Sequence, residues 1–600
     1  MTDGADSRGV VWLIGAGPGD PWLITVRGRE LLERADVVLY DALSHPALLE
    51  WCRPGAELRC VGKRYGERSP DQAWITAQLI EEARAGRKVA RLKGGDPLLF
   101  ARGAEEAQAL AQAGVRFEIV PGIASPVAAT AYAGISMTHR ELSSSVTFIT
   151  GSDRAGKEWS PEAWRKLATA TDTICVLMGM RRIEAICDAI LAGGRAPSTP
   201  AAVIHWGAQA AQRVVTGTLA DIASRSKAAK LTNPALILVG EVVSLRDELA
   251  WYDNAPLFGL RVLVPRPVEQ ARETASLIRE RAAEPFVRPT IRVEAPPEPA
   301  RLTAALERLA NYDWVLFTSA NGVTASFAEL TRQERDGRAF GRAKIACIGP
   351  KTAAALGRYG IRADLIAREY VAEALVAALR ERGVGEGSRV LLLRALVARE
   401  VLPEALRAAG AEVDVVPAYQ TLPLSAEAAD ELRGAFRAAA EALGRAAEPR
   451  AAAGGSAAMG RVTDGKGASR SAAESRGTLA KDLEADESGS ALRGDVAIID
   501  RVTDEMDKAP RGEMGVRPHS AGVDVALFTS SSTVHSLVDA LGTDAPTLCR
   551  GTLLASIGPI TSQALRDRGL WVDVEATEYT VPGLLDAIEA HLVARRVKAM

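Results

Sequence analysis

The chain has 600 residues, of which 47% are hydrophobic and 25% charged, and its formal net charge is −2. This composition is typical of a globular protein with several domains, and the small charge gives no overall attraction for nucleic acid or anionic membranes. The six cysteines and six histidines are scattered without a Cys-x-x-Cys pair, so we expect neither a disulfide framework nor a metal site.

The first residues are polar and lack the apolar core of a signal peptide. Further along, no apolar run reaches the roughly 20 residues that span a bilayer, so the sequence predicts a cytoplasmic protein. Strand-like and helix-like patterns then alternate over most of the length. This alternation predicts an α/β fold class.

The first predicted strand runs directly into a glycine-rich turn, Val11–Asp20, with the sequence VWLIGAGPGD. No Gly-Lys-Ser/Thr follows, which excludes a P-loop for nucleoside triphosphates. A dinucleotide fingerprint needs a third glycine where Asp20 stands, and an acid there would repel a pyrophosphate. The strand Val37–Asp41 ends in an acid, as a ribose-binding strand of a Rossmann fold does, so a Rossmann-type site remains a minor alternative.

A second strand, in the segment Ala90–Phe100 (ARLKGGDPLLF), also ends in adjacent glycines. Glycine lets the backbone turn sharply and lets a ligand lie against the main chain. Either segment alone fits a tight turn without a ligand. Two such segments in one hundred residues favour a binding site.

Further motifs occur in order along the first half of the chain. They are Ala35–Leu43, Val61–Arg64, Val120–Ile123, Gly134–Arg140, Leu177–Gly179 and Pro234–Gly240. With the two glycine-rich segments, this series resembles the tetrapyrrole methylase family, and within it the uroporphyrinogen-III C-methyltransferases. The resemblance covers residues 10–252 and implies a two-lobed methylase fold, with lobes of about 10–137 and 138–252.

The resemblance implies S-adenosyl-L-methionine as co-substrate and a catalytic pair, Asp41 as base and Lys63 as a cation at the active site. Asp41 also fits a helix cap, and Lys63 also fits a surface lysine. The cofactor-binding positions that the family implies are Pro18, Gly94, Gly95, Asp96, Leu99, Ala124, Ser125, Met178 and Gly207. Members of the family often have threonine where this chain has Ala124, so one hydroxyl contact is absent.

A substrate with eight carboxylates requires several cations near the active site. The arginines and lysines within the motifs are the nearest candidates, and most of them fit solvated surface charges equally well. They are Arg64, Arg91, Lys93, Arg140 and Arg181.

The second half contains an internal repeat. Trp314–Val323 parallels Val525–Val534, and Ala346–Leu356 parallels Ala555–Leu565. Each unit is an apolar strand that ends in hydroxyl residues, followed by Ile-Gly-Pro and a helix with threonine in its first turn. Two such lobes that face each other would present hydroxyls and helix N-termini to carboxylates.

Between these repeats, residues 445–520 have few large apolar residues and no clear period. Such a segment buries too little surface to offset its ordering entropy, so the sequence predicts a disordered insert. A short helix around Ala435–Leu443 is predicted to extend the preceding element.

The repeats, together with Tyr370–Leu375, Arg389–Arg394 and Gly410–Thr421, resemble uroporphyrinogen-III synthase. This resemblance covers residues 259–595 and implies a two-lobed α/β fold that closes hydroxymethylbilane with loss of water. Tyr419 matches a tyrosine that assists the leaving hydroxyl, although it also fits a core tyrosine. The substrate-binding hydroxyls implied are those of Thr318, Ser319, Thr352, Ser530 and Thr561, any of which also fits a helix cap.

Together the two resemblances predict a bifunctional enzyme that makes uroporphyrinogen III and methylates it twice to precorrin-2. Small-molecule tetrapyrroles are then its partners, without nucleic acid, membrane or metal, and the family implies a homodimer through the methylase half. Two alternatives remain open. The first is a methylase of the same fold acting on RNA or protein, and the second is an active methyltransferase with a degenerate, synthase-like binding module.

Overall fold

The computed structural model describes residues 9–62, 71–151, 160–266, 268–367, 372–447 and 522–599. The described chain forms two compact units. The first contains the described residues up to Ala250, and the second contains Trp251–Ala440 and the described residues from 522 onward. Within these ranges, no helix combines the length and apolar character needed to cross a membrane.

The first sheet of the first unit has five parallel strands in the order β3-β2-β4-β1-β5. Its strands are β1 Val10–Gly15, β2 Val37–Tyr40, β3 Glu57–Cys60, β4 Lys88–Lys93 and β5 Arg116–Val120, and the helices between and after them are α1 Val26–Leu32, α2 Gln72–Arg84, α3 Gly103–Gln112 and α4 Ser125–Tyr132. Strand β1 is buried along its whole length, as expected for a strand covered on both faces. Because β1 and β4 are adjacent and parallel, the loops that follow them lie side by side at the carboxyl edge of the sheet.

The second sheet has the order β6-β7-β10-β8-β9, and β6 with β7 is its parallel pair. Its elements are β6 Val146–Thr150, α5 Pro161–Ala170, β7 Thr173–Leu177, α6 Ile183–Ala192, β8 Pro200–His205, β9 Arg213–Thr218, α7 Ile222–Ala228, β10 Ala235–Val239 and α8 Arg246–Leu249. The end of α8 returns to the first lobe, because a Cβ on Gly134 would lie 2.2 Å from the carbonyl oxygen of Leu249.

In the second unit, residues 291–423 form what we call the contiguous lobe. Its strand order is β13-β18-β17-β14-β15-β16, with β13 antiparallel to β18 and the remaining pairs parallel. Its elements are β13 Ile291–Glu294, α10 Pro299–Glu307, β14 Trp314–Phe317, α11 Ala320–Arg332, β15 Lys344–Cys347, α12 Pro350–Gly357, β16 Leu365–Ile366, α13 Ala372–Glu381, β17 Arg389–Ala395, α14 Val401–Ala408 and β18 Glu412–Pro423.

The other lobe of this unit is built from separated segments and is called the split lobe. Its parallel sheet has the order β12-β11-β19-β20-β21. Its elements are β11 Arg261–Val264, α9 Val268–Glu280, β12 Glu284–Val287, α15 Ala426–Ala447, β19 Val525–Phe528, α16 Ser531–Leu541, α17 Ala545–Leu548, β20 Leu553–Ser556, α18 Pro559–Asp567, β21 Val574–Glu575 and α19 Val581–Ala599.

Helix α15 is longer than the predicted short helix around Ala435–Leu443, because it has 22 residues and starts at Ala426. Its apolar side, with Leu432 and Phe436, packs in the same cluster as Phe528 of the split lobe. Burial of this face explains why the helix extends beyond the range that local pattern indicated. Residues 448–521, which hold nearly all of the predicted insert, lie outside the described residues.

The two lobes repeat the same contacts in different parts of the chain. The amide of Arg389 donates to the carboxylate of Asp313 at 2.9 Å, and the amide of Arg261 donates to that of Asp524 at 2.7 Å. Similarly, Asp364 accepts from the amide at the second position of β15, and Asp573 from that of β20, both at 2.8 Å. The lobes are therefore internal duplicates in both sequence and hydrogen bonding.

Candidate active sites

The loops after β1 and β4 are hydrogen-bonded to each other. The amide of Gly95 donates to the carbonyl of Gly17 at 2.8 Å, and that of Gly17 donates to the carbonyl of Gly95 at 3.2 Å. Gly95 has a φ of +72°, and a Cβ there would lie 2.7 Å from Ser125 Oγ. Glycine at position 95 is thus required by the loop itself and by its contact with α4.

Gly94 differs from its neighbour. A Cβ on Gly94 would meet Leu43 Cβ at 3.5 Å, which is an ordinary van der Waals contact. A methyl group at position 94 would therefore fit without a clash, and Gly94 itself is partly buried at the carboxyl edge of the sheet. That a ligand lies against the main chain at this position stays a prediction.

Asp96 organises the loop that follows these glycines. Its Oδ1 accepts hydrogen bonds from the amides of Leu98 at 2.8 Å and Leu99 at 3.1 Å, and its Oδ2 accepts from Gly122 at 3.1 Å. Most of its acceptor capacity is used within the protein. The structure thus gives Asp96 a role in loop shape, and its pairing with the cofactor's cationic end stays a prediction.

The remaining predicted cofactor residues lie in two places. Pro18, Leu99, Ala124 and Ser125 are partly buried at the carboxyl edge of the first sheet. A Cβ on Gly207 would lie 2.4 Å from that of Ala129 on α4, so its small size is required by packing. Met178 follows β7 in the second sheet, is 47% exposed and has a φ of +56°.

A polar connection that the sequence reasoning missed joins the two lobes of this unit. Tyr132 Oη donates to Asp20 Oδ2 at 2.6 Å, and Gln212 Nε2 donates to the carbonyl of Tyr132 at 3.2 Å. Gln212 Oε1 in turn accepts from the amide of Ala208 at 3.0 Å. Asp20 was the sign of this connection in the sequence. Its carboxylate accepts a hydrogen bond, which the glycine of a dinucleotide fingerprint at the same position could not do.

Asp41 belongs to a cluster of charged side chains between β2, β4 and α3. Arg91 Nη2 donates to Asp41 Oδ1 at 2.6 Å, while Arg91 Nε donates to Glu106 Oε1 at 3.2 Å. Lys93 Nζ donates to both oxygens of Glu106, at 3.1 and 3.0 Å. Glu106 is fully buried, Arg91 and Lys93 are almost so, and the Asp41 side chain is 29% exposed. Asp41 is thus the member of this cluster that opens toward solvent.

The placement of Arg91 and Lys93 corrects their prediction as substrate-binding cations. Both are buried, all three guanidinium nitrogens of Arg91 are hydrogen-bonded within the protein, and Lys93 is held by both oxygens of Glu106, so the structure presents neither to an external substrate. Burial opposes the charge of Arg91, but Asp41 and Glu106 outweigh it and raise the pKa of Arg91 above its usual value. Burial, followed by repulsion from Arg91, lowers the pKa of Lys93.

The other predicted cations are placed differently. Arg140 and Arg181 are exposed, which leaves them available as substrate contacts. Lys63 and Arg64 lie outside the described residues, so the predicted role of Lys63 stays a prediction. Among the described residues, no group of three histidine, cysteine or acidic side chains suits a metal ion.

In the contiguous lobe, Tyr419 lies beside the N-terminus of α11. Ser319 Oγ donates to Tyr419 Oη at 3.0 Å and accepts from the amide of Gly322 at 3.0 Å, so Ser319 both caps the helix and contacts the tyrosine. Tyr419 is 8% exposed. The structure therefore brings two of the predicted synthase residues together at one sheet edge.

The remaining predicted hydroxyls lie at the equivalent edges of the two lobes. Thr318 directly follows β14, and Ser530 caps α16 by accepting from the amide of Thr533 at 3.4 Å. Thr352 and Thr561 occupy the first turns of α12 and α18, and each is 4% exposed. A common cleft lined by both sets stays a prediction.

Comparison with known families matches the two halves of the chain to two different family models. The model for tetrapyrrole (corrin/porphyrin) methylases matches residues 10–223. The model for uroporphyrinogen-III synthase HemD matches residues 272–443 and 503–586. The second match is interrupted in the same region as the described chain.

Two relatives found by sequence agree with these matches. The porphyrin biosynthesis protein HemD of Ruminiclostridium josui is 37% identical over 414 residues, which cover 69% of this chain and 82% of the relative. The uroporphyrinogen-III C-methyltransferase of Bacillus subtilis is 38% identical over 329 residues, covering 55% of this chain and 67% of the relative. A solved uroporphyrin-III C-methyl transferase of Thermus thermophilus, complexed with S-adenyl homocysteine, is 36% identical and covers 39% of this chain and 99% of its own, with a TM-score of 0.34.

Proposed function

We propose two consecutive reactions for this chain, which belongs to the tetrapyrrole methylases through its first half and to the uroporphyrinogen-III synthases through its second. The chain is thus an enzyme of tetrapyrrole biosynthesis. Its second half, residues 259–595, cyclises hydroxymethylbilane to uroporphyrinogen III. Its first half, residues 10–252, methylates that product twice with S-adenosyl-L-methionine to precorrin-2, which feeds siroheme or cobalamin synthesis.

The position of Asp41 beside Gly94 is the observation that carries the methylase assignment. Strands β2 and β4 are paired with Tyr40 opposite Leu92, and the amide of Asp41 donates to the carbonyl of Leu92 at 3.1 Å. A partly exposed carboxylate thus stands beside the main-chain surface of the glycine-rich turn after β4, where a methyl group would fit without a clash. A methyl donor at that surface and a base beside it are what methylation of a ring carbon requires.

S-adenosyl-L-methionine supplies the methyl group, whose bond to sulfur breaks as the bond to the ring carbon forms. The methylated ring then loses a proton, and Asp41 is positioned to accept it. Arg91 contacts Oδ1 of Asp41, and within the described residues Oδ2 has no side-chain partner. We therefore assign proton transfer to Oδ2, with Arg91 holding the carboxylate in place.

In the second half, Tyr419 Oη accepts a hydrogen bond from Ser319 and has its own proton to donate. We assign this proton to the hydroxyl group of hydroxymethylbilane. The carbon–oxygen bond breaks, water leaves, and closure of the macrocycle releases a proton that restores the phenol. Catalysis beyond this step rests on holding the chain in the closing conformation.

The experiment uses the purified full-length chain with hydroxymethylbilane, with and without S-adenosyl-L-methionine. We expect uroporphyrinogen III without the methyl donor and precorrin-2 with it. Failure to methylate supplied uroporphyrinogen III would contradict the methylase assignment. Methylation of supplied uroporphyrinogen III without cyclisation of the bilane would instead favour the alternative, in which the second half only binds tetrapyrroles. Sedimentation of the same sample tests the expected homodimer.

A further inference from the structure

A second repeat within the synthase half places one arginine at the same point of each lobe. Arg261–Arg266 reads RVLVPR, and Arg389–Arg394 reads RVLLLR. The first arginine starts β11 or β17, and the last one lies at the carboxyl edge of the same sheet. Neither carboxyl-edge arginine was among the predicted substrate contacts.

The strand register shows that the two positions are structurally equivalent. Val262 pairs with Val525 in the split lobe, and Val390 pairs with Trp314 in the contiguous lobe. Continued along each pair, this register sets Arg266 level with Thr529 and Arg394 level with Thr318. Each arginine therefore stands beside the hydroxyl-bearing turn that precedes a helix N-terminus.

Arg394 is more than nine-tenths buried, yet its hydrogen bonds are incomplete. Nη1 donates to the carbonyl of Arg399 at 3.0 Å, and Nη2 contacts the carboxylate of Glu400. Its Nε is buried without a partner among the described residues. Leaving such a charged donor unpaired is costly, unless a ligand completes it.

Arg266 is half-buried, and no hydrogen bond from its side chain is found within the described residues. Burial lowers its pKa, and Glu273 on α9 opposes this only in part. Beside it, Thr529 Oγ1 is also buried without a partner in the described structure. The Arg266 guanidinium and the Thr529 hydroxyl thus lie at one sheet edge without hydrogen-bond partners in the described structure, as expected for an anion-binding site.

We propose that Arg266 and Arg394 form a pair of carboxylate-binding sites, one in each lobe, for the acidic side chains of the linear tetrapyrrole. The inference rests on the proposed cyclisation function and names groups that hold its substrate. A guanidinium binds a carboxylate through two parallel hydrogen bonds, which fixes orientation as well as charge. Two such sites related by the internal duplication would hold opposite ends of one flexible chain.

The test measures KM and kcat for cyclisation of hydroxymethylbilane by the full-length chain, without S-adenosyl-L-methionine. We expect Arg266→Gln and Arg394→Gln each to raise KM about tenfold while kcat changes less, since a charge-assisted hydrogen bond to substrate is lost. Arg266→Lys and Arg394→Lys should recover part of the affinity because they retain the charge.

The first arginines of the same motif provide matched controls. Arg261 lies over the ring of Phe286 at 3.8 Å, and Arg389 forms an ion pair with Glu412 at 3.3 Å, both at the opposite sheet edge. Arg261→Gln and Arg389→Gln should leave KM within about twofold of the wild type, because they keep the carboxyl edge intact.

The outcomes separate this inference from the function on which it rests. A wild-type chain that does not cyclise the bilane contradicts the proposed function. An active wild type with unchanged KM in both glutamine variants overturns the carboxylate sites, and so does a fall in kcat at constant KM. If thermal unfolding shows that Arg394→Gln does not fold, Arg266→Gln decides the question, because its side chain makes no hydrogen bond in the described structure.

Discussion

Arg91 Nη2 lies 2.6 Å from Asp41 Oδ1, and the two side chains differ sharply in exposure: that of Arg91 is 3% exposed and that of Asp41 is 29% exposed. The buried arginine is also fixed by Glu106 and by the carbonyls of Leu39 and Leu92. A rigid cation thus holds a carboxylate that faces outward. The pair supports Asp41 as an acting group rather than a surface charge.

Asp41→Asn should lower the rate of precorrin-2 formation at least about a hundredfold, because an amide does not accept the proton that the methylated ring releases. Cyclisation should stay at the wild-type rate, since Tyr419 lies in the other unit. Asp36→Asn is the matched control. It removes a carboxylate paired with Arg53 at the amino end of the same strand. Methylation within a few-fold of wild type in the Asp41 variant would show that Asp41 is not the base.

Gly94→Ala should weaken S-adenosyl-L-methionine binding at least about tenfold, because the added methyl would stand on the main chain where the proposed cofactor lies. Thermal unfolding should change little, because the methyl meets Leu43 Cβ at 3.5 Å, an ordinary contact. Gly95→Ala is the informative contrast. It should also lower the unfolding temperature, because it combines a positive φ with a 2.7 Å approach to Ser125 Oγ. Calorimetric affinity equal to wild type for the folded Gly94 variant would remove the cofactor from this loop.

Tyr419→Phe should lower kcat for cyclisation about tenfold to a hundredfold, since the proton for the leaving hydroxyl is lost. Methylation of supplied uroporphyrinogen III should be unchanged. Tyr312→Phe is the control in the same lobe, where the phenol contacts Asp414 Oδ2 at 2.5 Å, near the amino ends of the strands. Equal cyclisation rates for both variants would show that Tyr419 only packs in the core.

Replacing residues 448–521 by a Gly/Ser linker of about six residues should preserve cyclisation. Gly522 packs against Ala439 of α15, and the helix end at Ala447 lies about 12 Å further along, a gap that six extended residues span. A deletion that continues through Asp524 should instead lower the unfolding temperature of the second unit, because it removes the hydrogen bond from the Arg261 amide to the Asp524 carboxylate. A folded shorter-deletion protein without cyclisation would show that the insert shapes the active site.

His205 predicts a pH dependence of stability for the first unit. It ends β8, is 2% exposed, and both ring nitrogens lack partners among the described residues. Burial, with a smaller effect of Arg213, lowers its pKa from 6.5 to about 4. The unfolded chain therefore binds a proton at this histidine more tightly than the folded chain does. The free energy of unfolding is unaffected by His205 above pH 6.5 and falls as pH drops from 6.5 toward 4, by up to about 3 kcal/mol.

The variant His205→Leu should flatten this part of the curve of unfolding free energy against pH. Chemical denaturation monitored at several pH values measures the slope for the transition of the first unit. A slope between pH 6.5 and 4 that matches wild type would mean that another group causes the acid destabilisation.

The α/β fold class and the two family resemblances could be predicted from sequence because short motifs carry their own geometry. Gly17 and Gly95 were recognised as turn residues, and they hydrogen-bond to each other in the structure. Arg91 and Lys93 show the limit of this reasoning. Their burial depends on Glu106, which reaches them from α3, and no local pattern reveals such a tertiary partner.

The split lobe was equally beyond local reasoning. Its central strand pair joins Val262 to Val525, two residues separated by most of the second half of the chain. The repeated motifs predicted two similar lobes, but strand order depends on pairings that sequence separation hides. Sequence separation also hid the equivalence of Arg266 and Arg394. Only the strand register shows that both arginines lie at the same position of their lobes.

The interleaved construction of the second unit sets an order for biosynthesis. The contiguous lobe, residues 291–423, has its strands within one uninterrupted stretch and can fold as soon as that stretch leaves the ribosome. The split lobe must wait, because β11 and β12 are made before the contiguous lobe whereas β19, β20 and β21 are made last. During this interval two apolar strands have no central partner, and a nascent chain stalled before Val525 would expose them to chaperones or proteases.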